Sequence, residues 1–107
     1  MLKDLKYSRL LDFYAPMLTE KQREVLVFYY NDDLSLSEIS EIIGISRQGV
    51  MDIIRRAEGQ LNNFDEKLNL SKFFEEVDNA YNILTNEKHD ADERLIKAVE
   101  IISKIRV

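Results

Sequence analysis

Apolar residues recur at helical spacing along most of the chain, and no stretch shows the strict alternation of a half-buried strand. Leu2, Leu5, Tyr7, Leu10, Leu11, Phe13 and Tyr14 predict a first helix. Pro16 should end it, because proline pushes the preceding Ala15 away from helical backbone angles. Thr19 followed by Gln22 predicts a capping box, opening a second helix with Val25, Leu26, Phe28, Tyr29 and Tyr30 as its apolar positions. Asn31, Asp32 and Asp33 then form a polar turn. Ser35 and Glu38 make a second capping box, with Leu34 and Ile39 as a hydrophobic staple across it. Ile39, Ile42 and Ile43 predict one buried face for this third helix, and Gly44 supplies the left-handed residue that stops it.

Ser46 caps a fourth helix, again with a staple, formed by Ile45 and Val50. Val50, Ile54, Ala57, Leu61, Phe64 and Leu68 follow one another at alternating spacings of four and three, which is a heptad seam. The seam predicts one helix from Arg47 to Leu68, about 33 Å long. It must outweigh Gly49 and Gly59, each of which costs about 1 kcal/mol relative to alanine. Beyond Leu68 the apolar phase slips by one position, with Asn69, Leu70 and Ser71 as the corner. Phe74, Val77, Tyr81 and Leu84 mark a fifth helix over 71–87, and 86–92 is a polar link. Asp90 with Glu93 resembles a third capping pair. It opens a sixth helix with Leu95, Ala98, Val99, Ile102 and Ile105 buried and Arg94, Lys97, Glu100 and Lys104 facing water. The expected fold is all-α, with the last two helices antiparallel.

Within this series, Leu34 to Arg56 stands out as two short helices joined by a connection of three to four residues containing glycine. An ordinary helical hairpin would show similar caps. The polar start of the second helix's outer face favours a helix-turn-helix, whose second helix reads nucleic acid. Taking Arg47 as zero and advancing about 100° per residue, Gln48 falls near 100° and Arg55 near 80°, opposite the apolar arc. The candidate nucleic-acid-binding residues are Ser46, Arg47, Gln48, Met51, Asp52, Arg55 and Arg56, with Arg47 and Gln48 on base edges and Arg55 and Arg56 on phosphates. Asp52 and Glu58 lie within one helical turn of the two later arginines and are expected to neutralise them in part. Residues 1–107 are expected to form a single domain, with a helix-turn-helix core in 1–60 and a C-terminal helical extension in 61–107. Leu61, Phe64 and Leu68 are the candidate dimer interface, because a heptad stripe on a projecting helix can meet its symmetry mate.

Charge complicates this picture. The 107 residues carry 15 Lys and Arg against 20 Asp and Glu, a net of −5, whereas phosphate binding ordinarily uses a basic face. Nucleic-acid binding would therefore have to be local, weak or assisted. The chain has no cysteine, and its one histidine, His89, sits in the polar link without a His or Cys partner, so no metal site or cofactor is expected. Asp32–Asp33 and Glu75–Glu76 are adjacent carboxylates whose side chains diverge, with no nucleophile or base beside them in sequence, and no enzyme activity is expected. Tyr29 and Tyr30 could stack on bases, although their apolar neighbours place at least one of them in the core. With no apolar run near the roughly 20 residues that span a bilayer and no export signal, cytoplasmic localisation is expected.

The stretch LTEKQREVLVFYYNDDLSLSEISEIIGISRQGVMDIIRRAEGQL resembles region four of bacterial sigma factors. More closely, Phe13 and Tyr14, Thr19 and Gln22, Tyr29 and Tyr30, Ser35 and Glu38, and the run from Ser46 through Arg56 to Leu61 are similar to the YlxM family of small Gram-positive bacterial proteins. The resemblance covers about the first seventy residues. It implies an all-α, dimeric helix-turn-helix protein with a regulatory role, linked by gene neighbourhood to the signal recognition particle pathway. The expected partners are DNA or the particle's RNA or protein, with a second copy of the chain. A protein-protein scaffold, or a modulator of the particle's GTPase that binds no DNA, is the alternative. Gly49 stands where the family usually has alanine and Met51 where it usually has tyrosine, both on or beside the reading face.

Overall fold

Asp4 begins the ordered helices: its side chain accepts the Lys6 N–H at 2.9 Å, and α1 runs over Leu5–Tyr14. The computed structural model describes residues 3–86 and 93–105, so the predicted roles of Leu2 and His89 and the Asp90 cap lie outside the described residues. α1 ends just before Pro16, but not by the expected route: Ala15 keeps helical angles, at φ −51° and ψ −41°, while Tyr14, at φ −114° and ψ 4°, leaves them, and the chain goes on as a tight turn over Ala15–Met17. α2 covers Glu20–Leu26, and both hydrogen bonds of the Thr19–Gln22 capping box are formed, each at 3.2 Å.

α2 then does something its sequence pattern does not announce. Over Val27–Asn31 the chain widens into a π-helical turn, closed by the Asp32 N–H on the Val27 carbonyl at 3.0 Å. Such a turn leaves backbone acceptors out of step with the helix ladder. Lys3 takes one of them up: its ammonium donates to the Tyr29 carbonyl in the turn and to the Leu34 carbonyl beyond it, both at 2.7 Å, pairs with Asp33 at 3.2 Å and lies 4.0 Å from the centre of the Tyr29 ring. Asp33 itself is left-handed, with φ 54°, and turns the chain into α3.

α3 covers Leu36–Ile43, with both Ser35–Glu38 capping bonds formed at 3.1 Å. Gly44, at φ 74°, ends it in the left-handed conformation that side chains with a Cβ adopt only at a cost. α4 runs unbroken over Arg47–Leu68, through both internal glycines. A Cβ at Gly59 would meet nothing within 4 Å, so that glycine marks open surface rather than a kink. Asn69, at φ 56°, stops the helix, and α5 follows over Leu70–Asn86. α6 covers Glu93–Ile105. The described residues thus form six α-helices and no strand.

The chain divides into two compact units, Met1–Leu68 and Asn69–Val107. In the first, α1, α2 and α3 all pack on α4. Val50, Ala57 and Leu61 are 0% exposed and Ile54 1%, so α4 supplies the centre of the core, joined by Leu10, Leu11, Tyr14, Val25, Leu26 and Ile39. Two predicted core positions differ. Leu5 is 77% exposed and Ile42 56%, because each lies at the edge of its helix's apolar stripe, beyond the reach of the partner helices. In the second unit α5 and α6 pack on each other, and with only six residues between them they form an antiparallel hairpin. Phe74, Val77, Tyr81, Leu84, Leu95, Ala98, Val99 and Ile102 are half-buried there, but Ile105, expected inside, is exposed.

Leu61→Ala removes a fully buried side chain and is expected to destabilise the first unit by about 2–5 kcal/mol, read from urea unfolding followed by circular dichroism.

Candidate nucleic-acid interface

The turn between α3 and α4 is built from short-range hydrogen bonds. The Gly44 N–H closes on the Ser40 carbonyl at 2.9 Å, the Ser40 hydroxyl donates to the Ile45 carbonyl, and Ser46 Oγ accepts the Gly49 N–H at 3.0 Å. These bonds fix where α4 starts and which way its first turn points. Gly49 belongs to the same arrangement. A methyl there would press on Ser46 Oγ at 3.2 Å and Ile45 Cδ1 at 3.3 Å, against both the cap and its staple.

From this start Ser46, Arg47, Gln48, Met51 and Arg55 project into one open groove of about 580 Å³, shared with Leu36 of α3. Arg47, Gln48 and Arg55 are exposed, and the half-buried Leu36 and Met51 form an apolar floor. Five of the seven candidate residues therefore converge. Asp52 lies beside them, accepting a hydrogen bond from Gln48 Nε2 at 3.3 Å. Arg56 is exposed but does not line the groove. Leu36 was missed; its one sequence signal is its position three residues before Ile39, which a helix puts on the same side.

The expected neutralisation of the arginines by Asp52 and Glu58 does not form. Among the described residues Arg47, Arg55 and Arg56 make no ion pair. Glu58 is held elsewhere, accepting the Tyr30 hydroxyl at 2.5 Å. Burial, then the Glu58 hydrogen bond and charge, push the Tyr30 hydroxyl well above the ordinary tyrosine range, so it stays a donor. The tyrosines are locked into their own packing. The Tyr29 and Tyr30 rings meet edge-on at 4.9 Å, Tyr7 lies 5.9 Å from Tyr30, and Asn62 Nδ2 donates to the Tyr7 hydroxyl at 3.0 Å.

The three seam residues at the end of α4 take different places. Leu61 is buried in the first unit's own core. Phe64 is half-buried with its ring 6.1 Å from that of Tyr14, whose hydroxyl donates to Asp65 at 2.7 Å. Leu68 is 51% exposed. Among the described residues no group of three or more His, Asp or Glu is placed to hold a metal ion, and no helix is long and apolar enough to cross a membrane.

Comparison with known proteins gives one family. The model described as "Putative helix-turn-helix protein, YlxM / p13 like" matches residues 1–102. A UPF0122 protein of Clostridium perfringens (strain 13 / Type A) is 44% identical over 99 residues, covering 87% of this chain and 86% of its own. Another, from Thermoanaerobacter sp. (strain X514), is 42% identical over 100 residues, covering 89% and 86%. A third, from Bacillus cereus (strain AH187), is 40% identical over 107 residues and covers 96% of both chains.

Tyr30→Phe is expected to lower stability at neutral pH by about 1 kcal/mol, through loss of the bond to Glu58. Because the folded-state pKa is raised, the Tyr30 contribution is fully present below the unfolded value of 10.0 and is lost as pH rises above it. Denaturation curves on either side of about pH 10 check this: the gap between wild type and Tyr30→Phe should narrow on the alkaline side.

Proposed function

The chain belongs to the YlxM / p13-like helix-turn-helix family, and on that premise we propose that it is a regulator that reads duplex DNA with the first turns of α4 and acts as a homodimer in the cytoplasm. The observation that carries this reading is the groove. It gathers two guanidinium groups without ion pairs, an amide and a hydroxyl over an apolar floor, on the outer side of the motif's second helix. Arg47 and Gln48 stand at the helix start, where side chains reach base edges: arginine suits guanine O6 and N7, and glutamine suits adenine N6 and N7. Met51 and Leu36 offer apolar contact to a thymine methyl. Arg55 and Arg56 supply phosphate contacts, which position the protein without reading sequence.

A net charge of −5 weakens each such engagement, and two linked motifs compensate because the second contact becomes intramolecular. Support for a dimer comes from the second unit. None of its described residues is buried, Phe73, Ile83, Ile96 and Ile101 are exposed, and a unit of under about 40 residues rarely holds itself together with its own core. These side chains of the second unit are the proposed interface, in place of Leu61, which is buried in the first unit's own core. The acidic balance also supports a second reading, in which the chain is a protein-protein scaffold or a modulator of the signal recognition particle's GTPase that binds no DNA.

Fluorescence anisotropy with labelled duplexes selected for binding tests the first reading. Arg47→Ala should relax base preference, while Arg55→Ala should weaken all duplexes alike and reduce the slope of log affinity against log salt by about one. Equal binding by wild type and the Arg47/Arg55/Arg56 triple alanine variant would refute it, and capture of the signal recognition particle's GTPase by a chain that binds no duplex would favour the second reading. Sedimentation equilibrium at micromolar concentration should give a dimer mass for the wild type and a monomer for Ile101→Glu. A monomeric wild type sinks the dimer.

A further inference from the structure

Asp52 is an acid at the lip of a groove proposed to hold a polyanion, and charge alone makes it a liability there. Its bond to Gln48 gives it a different role. A glutamine side chain carries an acceptor oxygen and a two-hydrogen donor nitrogen, and rotating the amide by half a turn exchanges them. An ionised carboxylate only accepts. With Asp52 Oδ1 fixed one helical turn ahead, the amide presents Nε2 to it, and the opposite orientation would set Oε1 against a carboxylate oxygen.

We propose that Asp52 is the specificity-determining positioning residue of the groove, fixing the Gln48 amide so that the site accepts adenine and rejects guanine. This inference rests on the DNA-binding reading above. The Nε2 hydrogen that lies away from Oε1 serves Asp52. The other Nε2 hydrogen and Oε1 remain side by side as a donor–acceptor edge. Adenine matches that edge, its N6 amino group donating to Oε1 and its N7 accepting from Nε2. Guanine offers O6 and N7, two acceptors, and sets O6 against Oε1. Turning the amide over only moves the clash to N7. The escape open to a free amide is to swing Nε2 between the two acceptors, one hydrogen on O6 and the other on N7, and Asp52 holds one of those two hydrogens. Asp52 closes this escape and trades some affinity for selectivity. Nearby cations do not compete for the carboxylate, because Arg47, Arg55 and Arg56 make no ion pair among the described residues. Asp52 and Gln48 are both exposed, so replacing Asp52 disturbs no core contact.

Three forms of the full chain, wild type, Asp52→Asn and Asp52→Glu, are each used to select bound duplexes from a randomised pool, and affinities are then measured on adenine and guanine versions of the selected site. Asparagine has the same shape but can itself turn and donate, so Asp52→Asn should bind all duplexes more tightly and lose roughly fivefold or more of its adenine-over-guanine preference at one position. Asp52→Glu is still acceptor-only and should keep that preference. If Asp52→Asn gains affinity and its base preference is unchanged, the carboxylate is merely a repulsive charge and the inference is overturned, while the DNA-binding reading stands. If Asp52→Glu loses the preference as Asp52→Asn does, the inference is likewise overturned. If no form binds duplex at any salt concentration, the reading fails and takes the inference with it.

Discussion

Val50, Ile54, Ala57 and Leu61 leave α4 no rotational freedom. Each is at most 1% exposed, and together they form one stripe along three turns of the helix, packed by α1, α2 and α3. Turning the helix by even one residue position, about 100°, would drag the whole stripe into water at roughly 1.5–3 kcal/mol for each large side chain. The direction in which Arg47, Gln48, Met51 and Arg55 point is therefore set by burial on the opposite side. The Gly44 turn and the Ser46 cap set the axial position, and the stripe sets the azimuth.

The polar network around this frame assigns each nearby acid to a neutral partner. Glu58 goes to the Tyr30 hydroxyl and Asp52 to the Gln48 amide, while Asp33 is the exception, paired with Lys3. The π turn at Val27–Asn31 belongs to this arrangement. Lys3 draws the Tyr29 carbonyl, in the turn, toward the Leu34 carbonyl beyond it, and the same segment carries Tyr30 to Glu58.

What could be read from the sequence divides along a physical line. The Thr19 and Ser35 capping boxes, the Gly44 stop, the Ser46 cap and the continuity of α4 each depend on residues within one or two helical turns, and their signals are local. Convergence of Arg47, Gln48, Met51 and Arg55 was legible for the same reason, since helix periodicity alone puts them on one side, and Ser46 joins them as the cap at the start of α4. The π turn was not legible, because Lys3 stabilises it across 26 and 31 residues of sequence. Nor was the capture of Glu58, where an Arg three residues away competes with a tyrosine 28 residues away, and only the fold decides. Leu61 fits an intermolecular seam and an intramolecular core equally well by spacing. Its position beneath α1 and α2 is a tertiary fact. Leu36 enters the groove only because α3 crosses α4 there.

The charge balance of the whole molecule differs from that of the groove: the chain is acidic, whereas Arg47 and Arg55 line the groove without ion pairs among the described residues. At distances beyond a Debye length, about 8 Å at physiological salt, the chain presents an excess of acid and drifts past polyanions. Within that distance, the guanidinium groups of Arg47 and Arg55, which make no ion pair among the described residues, stand at the groove. Such a protein gives up rapid electrostatic capture and, with it, the large background of indiscriminate adsorption that a basic surface incurs. On the proposed DNA-binding reading, dwell time then goes mainly to contacts already aligned with the groove.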